Sequence, residues 1–331
     1  MSSEHLIEQG IGETRAIRIE DGRLVELHVE RAGARLHAGD VREGRLTKIL
    51  VPGRRGIVAV DGEETLIEPL RAGVAEGGKL FVEVLREAIP EAGRAKLAKV
   101  RAADGPARDG PALVDRLRIG GTPLRQLTPH GPDLLEAAGW SEAIDEAMSG
   151  VVPFDGGTLT ISPTPAMTVI DVDGALAPPD LAVAGAAAAA RAVRRLGITG
   201  SIGIDLPTVG DKTIRQRAGE AIDALLPQPF ERTAVNGFGF VQIVRPRARA
   251  SIIELVQGDP AATAALALLR RAEREPGVGG RTLVAAPGVV DWLAARPALT
   301  DELARRIGAE VALRAAPGLA ISGGHVDVRP S

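Results

Sequence analysis

The sequence predicts a multi-domain α/β fold, and three observations carry that expectation. Short β-like segments separated by glycines and charged turns dominate from Ile17 to about Val100. A Pro-, Gly- and Asp-rich run, AADGPARDGP, breaks the pattern between Ala102 and Pro111. Beyond it, strand-like and helix-like segments alternate, the order of an α/β layer.

The first region contains RLVELHVE, GRLTKILV, GIVAVDG and LFVEVL, which together have the texture of a small barrel or meander. After the break come a strand-like RLRIGG and then LLEAAGWSEAIDEAM, whose apolar residues recur three and four apart and predict a helix ending near Met148. Next are TLTISPT, MTVIDV, an alanine-rich helix to Leu196, SIGIDL, a helix from Lys212 to Leu226, and FGFVQIV. From Pro260 the pattern reads helix, strand (RTLVAA), helix and strand, a small α/β unit.

Composition narrows the chemistry. The 331 residues suit two or three domains, and 45% hydrophobic with 25% charged residues is a globular balance. With 5 Phe, 2 Trp and no Tyr, the core must be aliphatic. The absence of cysteine excludes disulfides and thiolate metal sites. No basic segment followed by an apolar one opens the chain, and LAVAGAAAAA (Leu181–Ala190) is too short to span a bilayer, so a cytoplasmic protein with no membrane partner is expected. A net charge of −3 leaves nucleic-acid binding to local basic patches.

One motif stands out. TVIDVDG (Thr168–Gly174) ends an apolar run with Asp171 and Asp173, and SIGIDLP ends the next run with Asp205. Asp and Gly at strand ends are common turn residues, so the motif alone reads more readily as a turn than as a site. The separation of Asp171 from Asp205, 205 − 171 = 34, fits a strand, a helix and a second strand, which would bring the carboxylates to one sheet edge where α/β ligands bind. Such hard oxygen donors suit Mg²⁺ or Mn²⁺. The histidines, His5, His28, His37, His130 and His325, show no spacing for a two-histidine acid/base pair. VGDKT lacks the glycine cradle of a phosphate loop, and NGFGF lacks the third glycine of a dinucleotide fingerprint.

The succession TLTISPTPAMTVIDVDG, GSIGIDLP, KTIRQRAGEAIDALL and FGFVQIVRPRAR resembles the catalytic region of the ribonuclease E/G family of bacterial endoribonucleases. GDVREGRLTKIL resembles the entry to that family's OB-type RNA-binding barrel, and RTLVAAPGVVDWLA its small closing domain. The resemblance implies residues 1–40 packing with 106–150 as a reduced ribonuclease H-like subdomain, an OB-type barrel over 41–103, a catalytic α/β domain over 151–250 and a small C-terminal α/β domain over 251–331. It implies that Asp171 and Asp205 hold a Mg²⁺ (or Mn²⁺) that activates water against single-stranded RNA, with Asp173 in the place of a supporting Asn.

The departures from the family are as specific. Ile57 and Ile67 stand where its barrel carries stacking phenylalanines, and Gly237 stands where it has an arginine. The cysteine pair that links its subunits through zinc is missing, so no zinc is expected and a homo-oligomer would form without that link. The residues between Val100 and Thr158 are too few for its 5′-monophosphate-sensing module, although Arg116, Arg118, Arg125 and Thr122 lie there. The basic residues expected to contact RNA are Arg245, Arg247 and Arg249, Lys212 and Arg215 with the neighbouring Arg217, and Arg45 and Lys48. The expected function is a metal-dependent endoribonuclease of RNA processing or decay. The alternative is a non-catalytic RNA-binding or interaction protein on the same scaffold.

Overall fold

The computed structural model describes residues 2–33, 36–71, 73–90, 95–129 and 131–329; His130 lies outside them. The architecture is mixed α/β, with a closed five-stranded barrel and three further sheets. The chain opens with a meander of β1 (Ser3–Gln9), β2 (Glu13–Glu20) and β3 (Arg23–Arg31). Strand structure therefore begins well before Ile17. His5, Leu6, Ile7 and Glu8 of β1 are all buried in succession, so the alternation that marks a half-exposed strand is absent there.

The barrel follows, built from β4 (Val41–Val51), β5 (Arg55–Val60), β6 (Glu63–Ile67), β7 (Lys79–Arg86) and β8 (Ala98–Ala102) in the order β4-β5-β6-β8-β7. Its interior is aliphatic, as the composition requires: Leu46, Val58, Val60, Ile67, Val82 and Val100 are fully buried. The Pro/Gly run after β8 lies against the barrel entrance. Arg42 donates to the Arg108 carbonyl and the Asp109 carboxylate, each at 2.7 Å, and Asp40 accepts from the Gly110 amide at 2.7 Å.

The stretch expected as a strand at RLRIGG is instead the end of helix α1 (Leu113–Ile119), because Leu113 and Leu117, one helical turn apart, are the buried pair. Strand β9 (Leu124–Leu127) then pairs in parallel with β1. The single helix expected to end near Met148 is two, α2 (Leu134–Ala137) and α3 (Trp140–Ser149), divided at Gly139, whose φ of +96° is outside the helical range.

A six-stranded sheet comes next, from β10 (Val151–Phe154), β11 (Gly157–Pro163), β12 (Thr168–Gly174), β13 (Gly200–Asp205), β14 (Glu231–Arg232) and β15 (Phe240–Arg245), in the order β10-β11-β12-β13-β15-β14. Helix α4 (Pro178–Arg195) makes the crossover between the parallel strands β12 and β13, and α5 (Lys212–Leu225) follows β13. Prolines at the start of α4, Asp180 in its first turn and Arg194 and Arg195 in its last fit a helix stabilised at both ends. Its alanine run serves close packing: a side chain at Gly185 would meet Val172 Cγ1 at 2.3 Å, so the Val172 side chain of the sheet sits directly against the helix backbone. Leu159, Ile161, Ile170, Val172, Ile202, Ile204, Val241 and Ile243 form the buried face of this sheet.

The remaining elements are α6 (Ile252–Gly258), α7 (Pro260–Arg274), β16 (Gly280–Ala285), α8 (Pro287–Ala294), α9 (Pro297–Ile307), β17 (Val311–Ala315) and β18 (His325–Arg329), the strands ordered β17-β16-β18. Contacts divide the chain into one compact unit of residues 1–33, 120–142 and 256–331, and a second of 34–119 and 143–255. The C-terminal segment thus shares a unit with the N-terminal strands, and the barrel shares one with the six-stranded sheet.

The first unit packs Ile11 with Leu266, Leu269, Leu283, Leu293 and Leu303. Beside that core is a charged one: Arg15, 1% exposed, bonds Glu8 at 3.3 Å and Asp133 at 2.7 Å, Arg274 reaches Glu8 at 2.7 Å, and the Arg15 guanidinium sits 5.2 Å from the Trp140 ring centre. No single helix among the described residues is long and apolar enough to cross a membrane.

Candidate functional site

The two aspartates meet as the spacing requires. Asp171 on β12 is the register partner of Asp205 on β13, at the carboxyl ends of parallel neighbours about 4.8 Å apart. Both are exposed, since alternation turns Ile170, Val172, Ile202 and Ile204 to the helix side and leaves Asp171, Asp173 and Asp205 on the other face. Thr160 and Thr158 of β11 lie opposite Asp171 and Asp173, and Phe240 of β15 lies opposite Asp205. The result is a mixed sheet surface with three carboxylates at one edge.

Their mutual repulsion is visible in Asp171. Loss of water against the sheet, then the charges of Asp173 and Asp205 and a hydrogen bond shared with Asp173, raise its pKa; the Val172 amide donates to it and opposes the rise. A cation would relieve this repulsion, and an oxygen-only donor set is the chemistry of Mg²⁺ or Mn²⁺. The donors are nevertheless spread. Among the described residues, the group of three whose ligand atoms all lie within 4.8 Å of one another is His5, Glu26 and His28, not the aspartates.

The expected basic residues divide between the two ends of the sheet. Gly200 pairs with Arg245 while Asp205 pairs with Phe240, so Arg245 sits at the opposite end of β13 from the carboxylates, about 17 Å along the strand. It also shares the helix-covered face with Val241 and Ile243 and donates to the Ile198 carbonyl at 2.9 Å. Arg247 is bonded to Glu254. Arg249 is bonded to Glu87 at 2.9 Å, and although burial opposes it, hydrogen bonds from His37 and the Ala38 amide together with the Arg249 charge hold the Glu87 carboxyl below its ordinary pKa. The three arginines expected at the phosphate are structural ties at the far end. Arg215 likewise donates to the Val209 and Gly210 carbonyls at 2.8 and 2.7 Å.

Lys212 does lie at the carboxylate end, exposed at the start of α5 after the loop that leaves Asp205. Arg217, on the same helix, is exposed. On the barrel, Arg45 and Lys48 are exposed on β4, with Arg45 donating to the Gly77 carbonyl at 3.0 Å. Ile67, expected at a surface stacking position, is fully buried in the barrel core, and Ile57 is half-buried.

One residue at the site was not singled out by the sequence. Phe238, 82% exposed, caps a tight turn beside Asp205. Asn236 Oδ1 accepts from the Phe238 and Phe240 amides at 2.9 and 3.0 Å, and the Phe238 carbonyl accepts from Thr208 Oγ1 at 3.1 Å. Gly239 completes the turn with φ +90°, against the Leu206 carbonyl, where any side chain would clash at 2.1 Å. The signal was present in NGFGF, a phenylalanine between two glycines, where little can pack around the ring. His5 and His28 form an edge-to-face pair with ring centres 6.0 Å apart, and burial followed by His28 lowers the His5 pKa.

No family model matches the chain, and no curated protein matches it in sequence.

Proposed function

We propose that the protein is a metal-dependent endoribonuclease acting on single-stranded RNA, with its site at Asp171, Asp205 and Asp173. The observation that carries this reading is the register pairing of Asp171 with Asp205 at the carboxyl edge of parallel strands, with Asp173 beside them on the same face. Asp171 and Asp205 would hold Mg²⁺ or Mn²⁺. When bound, such an ion lowers the pKa of a water and offsets charge on a phosphodiester.

The chain's own residues define the rest. Asp173 shares a hydrogen bond with Asp171 and orients it. Lys212 at the same edge supplies a positive charge for the RNA backbone, and Phe238 offers a ring face for a base. The five-stranded barrel is read as OB-type, with Arg45 and Lys48 as its contacts to RNA. The sequence resemblance to the ribonuclease E/G family supports this reading, and the commitment of Arg245, Arg247 and Arg249 to protein partners sets this chain apart from a tight RNA binder.

The test is incubation of the purified full chain with an unstructured RNA, with Mg²⁺, with Mn²⁺ and with chelator. Fragments that require the ion support an enzyme. A mobility shift of intact RNA would instead identify a non-catalytic RNA-binding protein.

A further inference from the structure

The N-terminal meander carries a second cluster, far in sequence from the aspartates and independent of the nuclease reading. Across the sheet, His5 of β1 faces Arg18 of β2, which faces Glu26 of β3; His28 of β3 faces Ala16 of β2. These positions alternate onto one face. The small Ala16 leaves room for the His28 ring to lean toward His5, which gives the edge-to-face contact at 6.0 Å. His28 Nε2 lies 3.4 Å from Glu26 Oε2, and the ligand atoms of the three residues are all within 4.8 Å of one another.

Two further observations point to a ligand. His5 is only 4% exposed, and its Nδ1 and the Nε2 of His28 are buried without a hydrogen-bond partner. Buried polar nitrogens in native proteins are nearly always satisfied, so an orphaned pair on adjoining rings calls for an acceptor of their lone pairs. We propose that His5, His28 and Glu26 form a binding site for a borderline divalent cation of the zinc class, which clips β1 to β3 across β2.

The donor set fits that class and no other on the page. Two imidazoles and one carboxylate are the ligands of three-residue zinc sites that keep an open position, whereas Mg²⁺ takes oxygen donors. Ligands of a tetrahedral ion at about 2.1 Å sit about 3.4 Å apart, the separation already present between His28 and Glu26; His5 closes by a small side-chain rotation. Arg18 opposes the ion electrostatically, but its charge is shared: it bonds Ser3 Oγ at 3.1 Å and pairs with Glu20 at 2.9 Å and with the other oxygen of Glu26 at 3.5 Å. The cysteine count excludes thiolate zinc sites and does not bear on an imidazole one.

The experiment uses the full chain without a histidine tag, carrying Asp171→Asn and Asp205→Asn so that the acidic edge does not compete. Co²⁺ is titrated while ligand-field absorption and thermal unfolding are followed. The expected result is one equivalent bound, visible absorption of a low-coordinate site, and a rise in Tm, all displaced by Zn²⁺ and not by Mg²⁺. His28→Ala and Glu26→Gln, at partly exposed positions, should each weaken binding more than about 100-fold, since even loss of an outer partner of a metal ligand costs about 10–100-fold. Absence of the absorption and of any Tm shift, or binding unchanged in His28→Ala and Glu26→Gln proteins that melt cooperatively, would overturn the proposal.

Discussion

Asp171 and Asp205 occupy the same register position on two parallel strands joined by α4, and that single pairing places two carboxylates side by side at the edge of the sheet face away from the helices. Repulsion between them costs stability unless a cation intervenes. A pair kept apart by a hydrophobic residue would serve the fold better, and that cost is what the proposed cation would offset.

The repulsion has a measurable sign. The folded pKa of Asp171 is raised, so between its unfolded and folded values the native state binds more protons, and stability falls as pH rises through that window. Below the window the group is protonated in both states and the cost disappears. Asp171→Asn should therefore melt at a higher temperature than the wild type at neutral pH and at the same temperature below the ordinary carboxylate range. Mg²⁺ should raise the wild-type Tm at neutral pH and leave that of the variant unchanged.

Phe238 offers its ring face to solvent from a turn fixed by Asn236, Gly239 and Thr208. Phe238→Ala should cost about 1–3 kcal/mol of RNA affinity, the range for one stacked base. With 82% of the residue exposed, the melting curve should hardly move. Unchanged affinity in a binding titration would remove the ring from the RNA surface.

Arg247 and Arg249 act in the opposite sense. Each is paired with a mostly buried carboxylate, Glu254 and Glu87. Arg249→Ala should destabilise the chain by about 1–3 kcal/mol in denaturant, the cost of leaving a desolvated partner unsatisfied. The salt dependence of RNA binding should keep its slope, because no phosphate contact is lost.

The sequence carried the parts of the fold governed by local pattern. Alternation and the 34-residue spacing sufficed for β12, α4 and β13, and hence for the pairing of Asp171 with Asp205. It failed where the decisive contact was distant. The strand containing His5 is buried on consecutive positions, so it shows no period, and the approach of His28 to His5 depends on β2 lying between them. RPRAR gives no sign that Arg249 meets Glu87, 162 residues earlier (249 − 87), or that Arg245 is at the far end of the sheet from the carboxylates, which follows from the antiparallel pairing of β13 with β15. RLRIGG was ambiguous because Leu117 and Ile119 alternate, while the burial of Leu113 with Leu117 decides for helix.

Among the described residues between the barrel and the six-stranded sheet, each arginine expected as a phosphate donor has a protein partner. Arg116 donates to the Pro111 carbonyl at 2.9 Å, Arg118 pairs with Asp115 at 3.6 Å, and Arg125 pairs with Glu4 at 3.7 Å. Cleavage should therefore proceed at equal rates on one RNA prepared with a 5′-monophosphate, a 5′-triphosphate or a 5′-hydroxyl. A clear preference for the monophosphate in parallel time courses would place a sensor in this segment.

The most direct measurement is single-turnover cleavage of an unstructured RNA by the wild type, Asp171→Asn and Asp205→Asn, each shown by circular dichroism to be folded, in Mg²⁺. The wild type should cleave, and each substitution should slow the reaction by about 10²–10³-fold or more, the scale of losing one charge-stabilising group in a preorganised site. Asp173→Asn should retain more activity than either, because an amide can still donate to Asp171. Equal rates for the wild type and the two folded variants would contradict the account, since they would place the chemistry elsewhere than at the paired carboxylates.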